Sequence, residues 1–243
     1  RERCRRRHGV KSMDIVLINP NTTASMTARM HETAAPLVGD DVRLVPLTAA
    51  YGMPSIEGYF DEAFVVPPMV EALKPLAGKI DGVVVGCFDD TGVDALRAML
   101  EVPVVGICQA AMLSASIVST GFSVVTTLPR SVPVIEDLAL RYGMERRCRR
   151  VRAADIPVLA LEEKGSDARD KVRREIERAI AEDNCEAVIL GCAGMADLTA
   201  WLSAETGVPV IDGVVAGVKM VEALIGAGIT TSKIGAYALP REK

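Results

Sequence analysis

The chain contains one pattern twice, and that duplication constrains its fold more than any other feature. Val83-Val84-Val85-Gly86-Cys87-Phe88-Asp89-Asp90 and Ala187-Val188-Ile189-Leu190-Gly191-Cys192-Ala193-Gly194 are each an aliphatic run closed by Gly-Cys. A short amphipathic segment follows each, then a second apolar strand, Val102-Pro103-Val104-Val105 or Val208-Pro209-Val210-Ile211. Cys87 precedes Pro103 by 16 residues and Cys192 precedes Pro209 by 17. Two cysteines therefore occupy equivalent places in two similar half-domains.

The rest of the chain repeats the same grammar. Apolar runs predict strands at 14–18, 42–47, 81–86 and 102–105 in the first half, and at 121–126, 147–151, 186–191 and 208–211 in the second. Helical patterns lie between them, at about 22–37, 62–76, 92–100 and 109–119, then 132–142 and 167–182, with a closing helix near 214–225. Thr22 or Thr23 is placed to cap the first helix, and Pro67-Pro68 is expected to kink or restart the second. Within 167–182, Val172, Ile176 and Ile180 recur every four residues on an otherwise charged helix, most of which is a solvated face. The tail from 230 onward is expected to pack back or to wander.

Strands alternating with helices imply parallel sheets with right-handed crossovers, and continuously apolar strands fit sheets covered on both faces. The fold class expected is α/β, with two pseudo-symmetric lobes, each a mostly parallel sheet flanked by helices. One lobe comprises 13–115 plus 214–243 and the other 116–213, after a disordered basic extension at 1–12. Ligands in such sheets bind beyond the carboxyl ends of the strands. The loops at 19–23, 51–52, 87–90, 126–127 and 192–195 all fall there, so a crevice between the lobes would carry one cysteine on each wall.

Charge and composition narrow the function. The net charge is −4, but residues 1–12 hold five Arg, one Lys and one Glu, leaving −9 on the remainder. An acidic body with four Phe, four Tyr and one Trp argues against a nucleic-acid surface. No apolar run reaches the ~18 residues of a membrane span. The basic head lacks the apolar core of an export signal and reads as an extension ahead of Met13. Six cysteines without a CxxC spacing in a chain this long fit a reduced, cytoplasmic setting better than a disulfide framework. With His8 and His31 the only histidines, a Cys/His metal site is not expected, and His31 reads as a surface residue. Neither GxGxxG nor GxxxxGK[ST] occurs, which argues against a nucleotide.

A strand-end cysteine is more often a small buried apolar residue than a reagent, and Cys108, Cys148 and Cys185 are read that way. The matched positions of Cys87 and Cys192 suggest more. Racemisation at an acidic carbon needs a base on one face and an acid on the other, and a pseudo-symmetric pair supplies both. A thiol titrates within reach of neutral pH, and a sulfur near a helix N-terminus is favoured as thiolate. Asp89 and Asp90 oppose that at Cys87.

The segments Ile18-Asn19-Pro20-Asn21-Thr22-Thr23, Gly86-Cys87-Phe88-Asp89-Asp90, Val104-Val105-Gly106-Ile107-Cys108-Gln109-Ala110-Ala111, Phe122-Ser123-Val124-Val125-Thr126-Thr127 and Leu190-Gly191-Cys192-Ala193-Gly194-Met195 resemble the aspartate/glutamate racemase superfamily, and within it the hydantoin racemase and allantoin racemase branch. The resemblance covers residues 14–225. The amino-acid racemases carry Cys-Asn-Thr and Gly-Cys-Thr where this chain has Cys-Phe-Asp and Cys-Ala-Gly, which points away from a free α-amino acid. The resemblance implies a cofactor-independent, metal-free isomerase with Cys87 and Cys192 as the two bases. It also implies substrate contacts near Asn19, Tyr51, Gly52, Phe88, Ala193 and Gly194, and it suggests a homo-oligomer. Many relatives carry Glu at the place of Gln109, so a charged role there is not carried over. The polar rim offered by Asn19, Thr126 and Asp89, with few aromatics to line a large apolar pocket, favours allantoin or another small polar C5 substituent over bulkier hydantoins. The rival expectations are an amino-acid racemase, a decarboxylase or isomerase of the same superfamily, a dithiol redox protein and a non-catalytic small-molecule binder.

Overall fold

A computed structural model describes residues 12–162 and 166–241. Apart from Ser12, the expected basic extension, with Cys4 and His8, lies outside the described residues. The first sheet has the order β2 (Val42–Thr48), β1 (Met13–Asn19), β3 (Gly82–Val85), β4 (Val104–Gly106), and the second β6 (Cys148–Ala153), β5 (Phe122–Thr126), β7 (Ala187–Leu190), β8 (Val210–Asp212). Every pairing is parallel. The duplication is thus literal: β1 and β5 lie inside, β3 and β7 beside them, and β2 and β6 at one edge. Pro46 is tolerated because β2 is an edge strand.

Alternation along each strand divides the core. Ile15, Leu17 and Val84 face inward with Phe122, Val124, Ala187 and Ile189 from the other sheet, forming one apolar cluster. Between the sheets that cluster is filled by α4 (Ile107–Val118), which leads from the first sheet to the second, and by α8 (Gly213–Gly226), which returns. Val16, Ile18, Val83 and Val85 face the outer side, toward α2 (Tyr59–Leu73) and α3 (Val93–Met99). Val125, Val188 and Leu190 face α6 (Ala168–Glu182) and the short α7 (Thr199–Thr206). On α6 the buried stripe is Ala168, Val172, Ile176 and Ala179, with Ile180 partly buried, close to the expected period.

Some local expectations give way to tertiary contacts. α2 runs through Pro67 and Pro68 without restarting, because burial of Val65, Met69 and Leu73 outweighs two missing N–H donors. Neither threonine side chain caps α1 (Ala24–Ala34). Thr23 stands at the cap position, but its hydroxyl donates to the Pro54 carbonyl at 2.6 Å. His31 is half-buried, with Nε2 3.2 Å from the Leu44 carbonyl. The tail packs back: Thr231 N–H donates to Glu101 O, and the Lys233 ammonium reaches backbone carbonyls of α3. Among the described residues no helix is long and apolar enough to cross a membrane.

Candidate active site

The two cysteines are delivered by the same construction. Beyond β3 the Gly86 N–H donates to Ile18 O, and beyond β7 the Gly191 N–H donates to Val125 O, both at 2.8 Å. Each glycine is required by close approach. A Cβ on Gly86 would lie 2.7 Å from Met30 Sδ, and one on Gly191 2.8 Å from Thr126 Cβ. The chain then turns. Asp90 N–H donates to Cys87 O, and Met195 N–H to Cys192 O, both at 3.1 Å. That turn aims the N–H two residues on at the sulfur, Asp89 N–H at Cys87 Sγ and Gly194 N–H at Cys192 Sγ. The Thr91 hydroxyl lies 3.8 Å from Cys87 Sγ as a further partner.

The turns do not make resting thiolates. Burial, then the charge of Asp89, pushes the Cys87 thiol well above its ordinary value, against the Asp89 N–H and the Thr91 hydroxyl. Burial pushes Cys192 up to about 11, with the Gly194 N–H opposing and the charges of Asp89 and Glu57 adding. In the balance that the sequence leaves open between the turn N–H groups and the nearby carboxyls, burial is the largest influence on both thiols. Cys192 opens a 3₁₀ helix at residues 193–198, whereas α3 begins only at Val93, six residues after Cys87. Cys87, Cys108, Cys148, Cys185 and Cys192 are all free thiols, so the first and last form no disulfide.

Both thiols line one narrow crevice between the lobes, partly open to solvent. Of the residues expected to meet a substrate, the crevice is lined by Cys87, Phe88, Asp89, Thr126, Cys192 and Ala193. Gly194 lies just behind, where a Cβ would be 3.6 Å from Cys192 Sγ. Asn19, Tyr51 and Gly52 do not line it. The Asn19 side chain is fully buried and used up inside its own loop: its amide donates to Asn21 Oδ1 and Thr27 Oγ1, and its oxygen accepts from Asn21 N–H. Tyr51 is half exposed and turns toward Glu71 on α2, and Gly52 serves a φ of +122°. Asn21, two residues on from Asn19, and Ile56 line it instead. Thr126 is present, but its hydroxyl donates to Gly191 O at 2.8 Å and so braces the second cysteine turn.

Thr127 joins the lining from the expected loop at 126–127; Met26, Ser131 and Val158 also line it and carry no sequence signal, coming from the start of α1 and from segments without a motif. Met26, Ile56, Phe88 and Val158 give the crevice an apolar wall that the polar rim read from sequence did not suggest. Among the described residues neither Lys nor Arg lines the crevice. Among the described residues no group of three His, Cys, Asp or Glu side chains is placed to hold a metal ion. Gln109 lies outside the crevice, its Oε1 accepting from Arg97 Nη2 at 2.7 Å.

Asp90 supports this wall from behind. Its backbone is left-handed, with φ 48°. Its carboxylate accepts the N–H groups of Cys108 and Gln109 at the N-terminus of α4, both at 2.9 Å. Burial still raises its pKa to about 6, against these donors.

Known proteins share this fold. The model of the Asp/Glu/Hydantoin racemase family matches residues 15–221. A hydantoin racemase of Rhizobium meliloti is 53% identical over 232 residues, 95% of this chain and 96% of that protein. The structure of an allantoin racemase from Klebsiella pneumoniae superposes with a TM-score of 0.93 at 42% identity, covering 96% of this chain and 95% of that one. That of an allantoin racemase from Pseudomonas fluorescens gives 0.92 at 40% identity, covering 95% and 98%. The match runs through both cysteine turns and both sheets, and the chain belongs to the Asp/Glu/hydantoin racemase family.

Proposed function

We propose that this racemase inverts the C5 stereocentre of a hydantoin-type cyclic ureide, allantoin or a 5-substituted hydantoin, with Cys87 and Cys192 as its acid/base pair. The observation that carries the reading is the pair of thiols, presented to one crevice by equivalent turns of two pseudo-symmetric sheets. One thiolate removes the C5 proton and the opposite thiol returns a proton to the other face. Reversing the direction exchanges their roles. The C5 proton is acidified by conjugation of the enolate into the ring, which suits a pair of weakly ionised thiols. The lining favours a neutral ring over a free amino acid, because its described residues offer a carboxyl, Asp89, and no cation to hold a substrate carboxylate. Ala193 and the Gly194 N–H, beside Cys192, and Phe88, beside Cys87, are the contacts proposed for the ring. The apolar wall of Met26, Ile56 and Val158 is proposed to receive the C5 substituent.

A homo-oligomer in the cytoplasm completes the reading. Supporting it are Ile117, Val118 and Leu140, apolar and well exposed at the ends of α4 and of α5 (Val132–Arg141), and the free thiols.

The experiment follows optical rotation and C5 deuteration of single enantiomers of allantoin and of 5-substituted hydantoins in D₂O, with a no-enzyme control. Cys87→Ser and Cys192→Ser should each abolish net racemisation. At least one of them should still exchange the proton of a single enantiomer. Full activity in either variant would sink the two-base reading.

A further inference from the structure

Among the described residues that line the crevice, Asp89 holds the one acidic side chain, and its surroundings do not suit a carboxylate. The residue is 8% exposed and lines the space shared by both thiols. Its N–H is spent on Cys87 Sγ. Among the described residues no hydrogen bond or ion pair reaches its carboxyl. The titratable groups around it are Tyr59 and Glu62 on α2, Asp90 in its own loop, Cys108 at the start of α4, and the two site thiols; none is a cation. Glu62 itself has Oε1 buried without a partner and adds repulsion in place of a hydrogen bond. Burial, then Glu62 and Asp90, raises the Asp89 pKa to about 7. Its charge acts on Cys87 and on Cys192 alike, raising both.

We propose that Asp89 works as an uncharged carboxylic acid whose O–H donates a hydrogen bond to the enolate oxygen forming on the substrate, and that its ionisation damps the reaction at alkaline pH. The proposal rests on the C5-racemase reading above. The thiolate takes the C5 proton, and the C–H electron pair moves into the ring enolate. Asp89 keeps its proton while its hydrogen bond strengthens, and the opposite thiol protonates C5. An ionised Asp89 would repel the enolate and hold both thiols protonated.

The test compares the wild type with Asp89→Asn, which keeps a donor and removes the charge, and with Asp89→Ala, which removes both. kcat and KM for a single hydantoin enantiomer are measured from pH 6 to 10, and thiolate absorbance near 240 nm is titrated without substrate. In the wild type the rise of kcat/KM with pH should flatten above pH ~7. In Asp89→Asn it should continue, reaching about tenfold above wild type at pH 9, the effect of one pK unit on thiolate population. Asp89→Ala should fall below Asp89→Asn at every pH, and thiolate should appear at lower pH in both variants. Superimposed wild-type and Asp89→Asn profiles, a uniform loss in Asp89→Asn as deep as in Asp89→Ala, or an unshifted thiolate titration would each overturn the proposal. A wild type that racemises none of these rings while its thiolate titration shifts on substitution overturns the substrate reading, and the enolate contact with it.

Discussion

The Tyr142 hydroxyl donates a 2.7 Å hydrogen bond to Asp90 Oδ2, joining the end of α5 in the second lobe to the loop that carries Cys87 in the first. Asp90 is three residues from that cysteine and is already held by two backbone donors of α4. The geometry of the first thiol therefore depends on the second lobe. Tyr142→Phe should lower unfolding stability by about 1.5–3 kcal/mol, the worth of a hydrogen bond to a charged acceptor, and should reduce kcat more than it changes KM. Urea denaturation and steady-state kinetics check this; an unchanged kcat would mean that the contact is only structural.

The thiols set a second expectation. Both are raised, Cys192 to about 11, so thiolate is scarce at neutral pH and increases as pH rises. Inactivation by iodoacetamide should speed up between pH 6 and 7 by about tenfold, following thiolate population. The slope should lessen above pH 7 as Asp89 ionises. A pH-independent rate would mean that one thiolate is already formed.

Asp89 and Asp90 also predict how stability varies with pH. Their folded pKa values, about 7 and about 6, lie above those of exposed carboxyls. Between pH ~4 and ~7 the folded protein therefore binds more protons than the unfolded chain, and these two groups make it less stable as pH rises. Asp89→Asn should remove part of that slope and be more stable than wild type at pH 8, by on the order of 2–4 kcal/mol. Urea midpoints at pH 4.5 and pH 8 measure the difference. Equal gaps at the two pH values would contradict it.

The two cysteine-turn glycines should respond unequally to alanine. At Gly86 the obstacle is the flexible end of Met30, whereas at Gly191 it is the Cβ and Cα of Thr126. Gly191→Ala should cost about 1–3 kcal/mol and displace Cys192, with a loss of kcat. Gly86→Ala should be the milder change. Thermal unfolding and activity of the two variants give the comparison.

Far from the crevice, the Arg152 guanidinium lies buried in the second lobe among Asp183, Glu175 and Glu182. Asp183 also accepts the Ser123 hydroxyl at 2.9 Å. Arg152→Ala leaves the buried Asp183 with only the exposed Arg150, 3.7 Å away, and should destabilise by about 3 kcal/mol, the low end for breaking a buried ion pair. Specific activity of the fraction still folded, measured against urea curves, should match wild type.

What could be read from the sequence was what depended on local pattern. β3 and β7 are unbroken β-branched and aliphatic runs, and the Gly-Cys that ends each marked both thiols before any coordinate was known. What could not be read depended on distant partners. Nothing local distinguishes Asn19 from Asn21 two residues on; the choice comes from Thr27, which binds the Asn19 amide from α1. Ile56, Ser131 and Val158 sit in or beside loops whose approach to the crevice is set by packing across the lobes. The setting of the thiols is partly hidden for a related reason: the turn and its N–H groups are local, whereas burial depends on residues distant in sequence.

The apolar cluster that joins Ile15, Leu17 and Val84 to Phe122, Val124 and Ile189 has a consequence for folding. Each sheet owns only its outer face; the inner faces are completed by one another through α4 and α8. The two halves therefore form a single cooperative unit, and neither would be stable if expressed alone. Heating should give one calorimetric transition, in which both thiols lose their setting together.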